Sequence, residues 1–134
     1  MPEASFDWRD ARLRKHADYQ RVYRESRRHS SASMSYFFRS RVAGEPGVAA
    51  PRIGLTTGRV LGNAVERNRI RRRMREAVRM HLSELPARVD VVLHPRRIVL
   101  EMEFARLESE VVKIFASVRA SMSRSLATST GATQ

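Results

Sequence analysis

Apolar residues recur at three- and four-residue steps through the last third of the chain. Phe104, Leu107, Val111, Ile114, Phe115 and Val118 fall on one stripe, so an amphipathic helix is expected from about Glu103 to Met122. A second helical stretch, NAVERNRIRRRMREAVRMHL over residues 63–82, gathers Ile70, Met74, Ala77 and Val78 on a stripe roughly 100° wide. Asn63 is placed to cap its start, and Leu85-Pro86 ends it. A shorter helix fits Lys15 to Glu25, where Tyr19 and Tyr23 share a face at i, i+4 and Asp18 sits in the first turn, which favours negative charge.

Between the helices the period changes to two. Met34, Tyr36 and Phe38 alternate with Ser33, Ser35, Phe37 and Arg39, the pattern of a strand with one apolar face and one mixed face. Arg52 to Thr57 reads as a second short strand weakened by Gly54, and Asp90-Val91-Val92-Leu93 as a buried strand stopped by Pro95. Gly44, Pro46, Gly47 and Pro51 mark a turn-rich connection before the second strand. The order helix, strands, helix, strand, helix gives an α/β (α+β) fold, a two-layer α-β sandwich. The pattern accommodates either two paired strands or a four-stranded sheet. One domain is expected over residues 12–122, with residues 1–11 a flexible arm and residues 123–134 a disordered tail without core-forming pattern.

Composition adds a partner to this picture. The 134 residues are 42% hydrophobic, enough for a modest core, yet 24 Arg and 2 Lys against 14 acidic residues leave a net charge of +12. Such an excess repels itself in a compact domain unless a polyanion neutralises it, which points to nucleic acid. No apolar run approaches the roughly 20 residues of a spanning helix, and the first residues lack a secretory apolar stretch, so a cytoplasmic protein with no membrane partner is expected. The absence of Cys excludes disulfides, thiolate nucleophiles and cysteine-based zinc sites. His16, His29, His81 and His94 lack metal-binding spacing, and Asp18, Asp90 and Glu101 form no obvious acid/base pair, so neither a metal site nor a catalytic residue is expected in the protein.

The charge is concentrated on the second helix. Seven Arg lie between positions 67 and 79, opposed in that span only by Glu76. Arg67, Arg71 and Arg75 line one flank of the apolar stripe, Asn68, Arg72 and Arg79 form the next row, and Arg69 and Arg73 lie on the other side. Like charges at this spacing destabilise an isolated helix by a few tenths of a kcal/mol per pair, about the size of one surface ion pair. A helix built only for solubility would mix signs.

The run RIGLTTGRVLGNAVERNRIRRRMREAVR, residues 52–79, resembles the bacterial ribonuclease P protein component, whose pattern is an R-x-G strand, a glycine-bounded turn, G-x-A-V and then R-N-R-x-K-R-x-x-R-E. Arg12-Leu13, the segment Ala17 to Tyr23 and Asp90-Val91-Val92-Leu93 resemble further parts of that pattern, so the likeness covers roughly residues 12–122. Three departures stand out: Gly58-Arg59-Val60 replaces Ser-Lys-Lys, His94-Pro95 replaces Ala-Arg, and Arg71 replaces the helical Lys. The resemblance implies an accessory subunit of a ribonucleoprotein endonuclease that removes the 5′ leader of precursor tRNA. The catalytic RNA subunit performs the hydrolysis with Mg²⁺ that it mainly binds itself, and no obligate protein partner is evident.

The resemblance also implies a small mixed four-stranded sheet and a left-handed βαβ crossover through the basic helix, against the right-handed default. Its RNA-binding segment maps to Arg67, Asn68, Arg69, Arg71, Arg72 and Arg75, and its leader cleft to Tyr19, Tyr23, Ser35, Phe37, Arg71 and Arg75. Arg12, Arg59 and Asn63 are further candidate RNA contacts. Arginine suits such positions because its planar fork binds phosphate bidentately and stacks on bases. The alternatives are a general structured-RNA or ribosome-associated binding protein and a nuclease acting through its own side chains.

Overall fold

A computed structural model describes residues 11–41 and 49–132. Helices α1 (His16–Glu25), α2 (Ala64–Arg79) and α3 (Phe104–Ala132) accompany strands β1 (His29–Ser30), β2 (Met34–Ser40), β3 (Arg52–Leu55) and β4 (Val89–Pro95). The strands form one mixed sheet in the order β1-β2-β4-β3. β1 and β4 are antiparallel to β2, and β3 is parallel to β4. The chain from β3 reaches its parallel neighbour β4 through α2, the βαβ unit that the family likeness implies. Residues 42–48, with the expected Gly44-Pro46-Gly47 turn, and residues 1–10 of the arm lie outside the described residues.

The pleat sorts side chains by strand register. Met34, Tyr36, Ile53, Val89, Val91 and Leu93 face α2 and α3, where they meet Ile70, Met74, Ala77 and Val78 of the basic helix and Leu107, Val111, Ile114, Phe115 and Val118 of α3. This is the main core. On the other face, Phe37 and Val92 meet α1 through Val22, Tyr19 and Tyr23, with Leu13 completing a smaller cluster. Both faces of the sheet are therefore used, and α1 stands opposite the other two helices.

Several boundaries differ from those the sequence suggested. β1 is only two residues long, too short to show a period, and pairs through His29↔Tyr36 and Ser30↔Ser35. Pro95 does not stop the fourth strand before it: Pro95 is the strand's last residue, opposite Met34, where a missing N–H costs least. α2 ends at Arg79, and Leu82, whose apolar side chain fits the helical stripe, is buried within a separate 3₁₀ turn, Leu82–Glu84. α3 continues as helix beyond Met122. Ala11, expected in the arm, is 1% exposed and belongs to the core. Gly54 interrupts no strand; it lies against the Tyr19 ring, and a Cβ there would come within 2.7 Å of Tyr19 Cε2. Close approach, one of the reasons a strand takes glycine, explains it.

A buried ionic row fixes α1 to the sheet. Asp90 is fully buried on β4 and accepts from Arg41 at 2.5 Å and from Arg52 at 2.9 Å through each oxygen, while Arg39 Nη1 lies at 3.7 Å. Arg52 also pairs with Asp18 at 3.5 Å, and Arg39 with Glu25 at 2.9 Å, both acids belonging to α1. Three arginines thus share three carboxylates. On the opposite side, Glu110 of α3 accepts from Ser31 Oγ at 2.8 Å, from Ser33 N at 2.7 Å and from Ser33 Oγ, tying the β1–β2 turn to that helix.

His81, just past α2, bridges Glu84 through Nδ1 and Glu108 of α3 through Nε2, the latter at 2.8 Å. Burial depresses its pKa, but the hydrogen bonds to the two carboxylates outweigh this and raise it above the ordinary value of 6.5. The folded value lies above the unfolded one, so the contribution to stability is complete below about pH 6.5 and is lost as pH rises through the raised folded value. Thermal midpoints of wild type and His81→Gln measured between pH 5.5 and 8.5 check this. Wild type is expected to lose an increment of stability toward the alkaline end that the variant lacks.

Candidate nucleic-acid interface

The basic helix begins on a locally specified turn. Gly62 adopts φ +135°, a conformation in which L side chains are strained, and a Cβ at this position would collide with the Glu66 carboxylate and Arg97. Asn63 Oδ1 then accepts from Glu66 N at 2.9 Å while Glu66 Oε1 accepts from Asn63 N at 3.0 Å, a reciprocal capping box. Arg97 grips the same carboxylate at 3.0 and 2.7 Å and Leu61 O at 2.8 Å. The Arg97 hydrogen bond, aided by the Asn63 N–H, holds the Glu66 carboxyl down to about 2. The first acid of the helix is thereby neutralised by a partner from outside it, and Asn63 serves first as the cap expected from sequence.

Burying Ile70, Met74, Ala77 and Val78 turns the arginines outward. Asn68, Arg69, Arg72 and Arg79 are exposed, whereas Arg67, Arg71 and Arg75 are half-buried along the flank of the stripe. Arg67 Nε has no hydrogen-bond partner among the described residues although it is buried. Arg71 donates to Asn68 Oδ1 and, at 2.8 Å, to Thr57 Oγ1, which orients its guanidinium across the end of β3. Arg73 differs from its neighbours: it donates to Val99 O at 3.0 Å and to Met102 O, so it ties the segment before α3 to the helix. Arg59 stands exposed on the 3₁₀ turn Arg59–Leu61.

Of the residues assigned by resemblance to one cleft, Tyr19, Arg71 and Arg75 line one recess and Ser35 lines another. The first, about 320 Å³, is lined by Arg12, Leu13, Arg14, Tyr19, Leu55, Arg71 and Arg75. Arg12 reaches it because a parallel bridge to Ile53 lays residues 12–13 along the free edge of β3, with Leu13 N donating to Ile53 O at 2.7 Å. Tyr19 O–H donates to Leu13 O at 3.4 Å, and burial, then the neighbouring Tyr23, raises its phenol pKa above the usual value. Four guanidiniums around one phenol suit an anion that also presents a flat face.

The second recess, about 440 Å³, includes Arg28, Ser35, Thr56, His94, Arg96 and Arg97. Ser35 of β2 lies opposite His94 of β4 on the α1 face, and Thr56, just past β3, donates its N–H to Leu93 O beside them. Tyr23 and Phe37 pack edge to face at a 5.0 Å centroid separation beside it, and Tyr23 O–H shares a 2.9 Å hydrogen bond with His94 Nε2. Tyr19, Arg71 and Arg75 are thus together, Ser35 is elsewhere, and Tyr23 and Phe37 belong to the small cluster under α1. Sequence reasoning missed Arg14, Arg28, Thr56 and His94. The period-two pattern of β4 carried a signal for the last, since Asp90, Val92 and His94 share a face.

Among the described residues no group of three or more His, Asp or Glu could hold a metal ion, and no helix is long and apolar enough to cross a membrane. The family model described as Ribonuclease P matches residues 8–119. A relative named ribonuclease P protein component from Finegoldia magna is 31% identical over 106 residues, covering 79% of this chain and 88% of its own. One of the same name from Chloroflexus aggregans is 38% identical over 105 residues, 77% of this chain and 73% of that protein. The RNase P protein of Staphylococcus aureus, a solved structure, is similar with a TM-score of 0.64 and 25% identity over 78% of this chain and 97% of that one.

Proposed function

The chain belongs to the ribonuclease P protein family, and from that premise we propose that α2 binds the catalytic RNA subunit while the α1 face of the sheet holds the 5′ leader of precursor tRNA. The protein is the accessory subunit of tRNA 5′-end maturation, and hydrolysis belongs to the RNA. The observation that carries the division of labour is the placement of the arginines. Arg69 and Arg72 point to solvent with Asn68, whereas Arg71 and Arg75 close a recess on Tyr19. The exposed row suits the phosphates of a folded RNA, and the recess suits an unpaired strand whose bases stack on an aromatic ring beside a basic track. Arg12 adds charge to the recess, and Arg59 and Asn63 lie at the turn that precedes the exposed row.

Mg²⁺ is assigned to the RNA. Asp18, Glu25, Glu66, Glu76 and Asp90 are each paired with arginine, so these described carboxylates form no oxygen cage for the ion. What the protein contributes is charge, which substitutes for part of the counterion atmosphere of the particle. We place its work in the cytoplasm, with precursor tRNA.

Adding the chain to a catalytic bacterial RNA is expected to raise cleavage of leader-bearing tRNA most at low Mg²⁺. Cleavage unchanged by the protein contradicts the reading. Comparing precursor with mature tRNA in the same particle tests the leader assignment: Tyr19→Ala should narrow the preference for precursor. Equal affinity of the wild-type particle for both would instead favour a general structured-RNA binding protein, and metal-dependent cleavage by the protein without RNA would favour a nuclease of its own.

A further inference from the structure

The sheet face that meets α3 carries a second set of rings, at the edge opposite β3. His29 of β1 lies 5.1 Å from Tyr36 and 5.0 Å from Phe38 of β2 between centroids, with its plane inclined to theirs by 18° and 29°. Tyr36 and Phe38 are themselves nearly parallel at 6.4 Å. Tyr36 is buried, whereas His29 and Phe38 are half-buried and reached by water. β1 is the outermost strand, so no strand covers the outer side of the His29 ring. Burial, then the charge of Arg27, holds the His29 pKa below its ordinary value, and the ring is a neutral aromatic at pH 7.

Cations flank these rings. α3 is fixed to this edge by Glu110, which accepts from Ser31 and Ser33, and by Ser117, whose Oγ accepts from Tyr36 O–H at 3.4 Å. Arg106, Lys113 and Arg124 lie on the same flank of the helix, successively seven and eleven residues apart, close to two and three whole turns. All three are exposed, as is Arg27. Arg27 and Lys113 have no hydrogen bond or ion pair to another described residue. Glu110, the acid within this row, is already engaged by the two serines.

A partner β-strand fits this edge poorly, because β1 offers only two residues to pair with. A cationic row beside nearly parallel rings, the outermost open on one side, is instead the chemistry that holds an unpaired polynucleotide. The rings face α3, on the other side of the sheet from the α1 recesses, and β1 lies at the opposite edge from β3. A strand held here needs no connection to the leader.

We propose that the β1 edge and the α3 flank form a further RNA-binding surface that takes an unpaired segment of a separate RNA strand, with a base stacked on His29 and phosphates held by Arg27, Arg106, Lys113 and Arg124. The surface goes beyond the roles given to α2 and the α1 face, and either assignment can fail without the other.

The test uses particles reconstituted from the full chain and a catalytic bacterial RNA and saturated with a precursor tRNA resistant to cleavage. They are titrated with an oligouridylate of about twelve nucleotides that carries one photoreactive 4-thiouridine. Cross-links are expected on β1 and the α3 flank. His29→Leu should weaken oligonucleotide binding about tenfold, the scale of one lost base stack, and His29→Tyr should keep it within about twofold of wild type. Leucine would satisfy a packing role, so the difference between the two variants reads stacking. Lys113→Ala, an exposed change on a helix, should lower the slope of log affinity against log salt by about 0.7 at an unchanged melting temperature, which keeps the test open if His29→Leu unfolds. Cleavage of an ordinary precursor should be the same in all three variants. Affinity unchanged in His29→Leu, equal losses in Leu and Tyr, a slope unchanged in Lys113→Ala, or cross-links confined to α2 and the Tyr19 recess each overturn the surface. Displacement of the oligonucleotide by a lengthened precursor leader overturns the separate strand. Equal binding of precursor and mature tRNA by the wild-type particle overturns the leader reading instead.

Discussion

Asp90→Ala is expected to destabilise the free protein by about 3–5 kcal/mol, the cost of removing one partner from a buried ionic group. Asp90 is fully buried and faces Arg39, Arg41 and Arg52. Without it, Asp18 and Glu25 remain to balance three guanidiniums, of which Arg39 and Arg41 have almost no access to water. The uncompensated positive charge, more than the hydrogen bonds removed, makes the effect large. For a domain of this size the melting temperature should fall by about 10–20 °C. Asp90→Asn, which keeps the shape but not the charge, should lie closer to Ala than to wild type. A loss below about 1 kcal/mol in both variants would mean that water reaches the network.

The consequence is functional as well as structural. Asp18 and Glu25 belong to α1, and the arginines they pair with belong to β2 and β3, so the network is the polar half of the packing that holds α1 on the sheet. The apolar half is small, with Leu13, Val22 and Val92 fully buried and Tyr19, Tyr23 and Phe37 partly so. Loosening α1 therefore displaces Tyr19 from Gly54 and Tyr23 from His94, and the preference for precursor tRNA should fall before RNA-subunit binding does.

How far the sequence foretells this arrangement depends on the range of the interaction. The apolar stripes of α2 and α3 and the two faces of β2 are local periodicities, and the residues their periods mark are buried or, for Phe37, Phe38 and Phe104, partly buried against the core. The capping box at Asn63 and Glu66 is equally local. β1 is too short to leave a period, and residues 12–13 join the sheet edge through a single bridge. The three arginines on Asp90 come from positions 39, 41 and 52; strand register sets Arg39 and Arg52 opposite it, and Arg41 reaches it from just past β2. The candidate cleft is legible in the sequence as a set of residue types but not as two recesses, because the division depends on where Arg71 crosses to Thr57 and where Tyr19 lies on Gly54. Arg73 shows the same limit from the other side: helical angle groups it with Arg69, yet two carbonyl acceptors from a distant segment give it a structural role.

That contrast sets the second large effect. The double substitution Arg69→Ala and Arg72→Ala is expected to weaken binding to the catalytic RNA by about a hundredfold, roughly tenfold for each charge-assisted hydrogen bond to phosphate that is removed. Neither side chain has a hydrogen bond or ion pair to another described residue, and both are exposed. If each neutralises one phosphate, the slope of log affinity against log salt falls by about 1.4–1.8, twice the value of about 0.7–0.9 for a single phosphate. The fold should not suffer. Alanine has the highest helix propensity, and the change relieves repulsion of Arg69 with Arg73 at i, i+4 and of Arg72 with Arg75 at i, i+3, so the melting temperature should hold or rise slightly. Arg73→Ala should do the opposite, lowering the melting temperature by freeing Val99 O and Met102 O while changing the salt slope little. Filter binding across a salt series with parallel thermal melts distinguishes the two. An unchanged slope in the double variant would show that the exposed row does not touch phosphate, and the RNA would then have to be held by the half-buried flank of Arg67, Arg71 and Arg75.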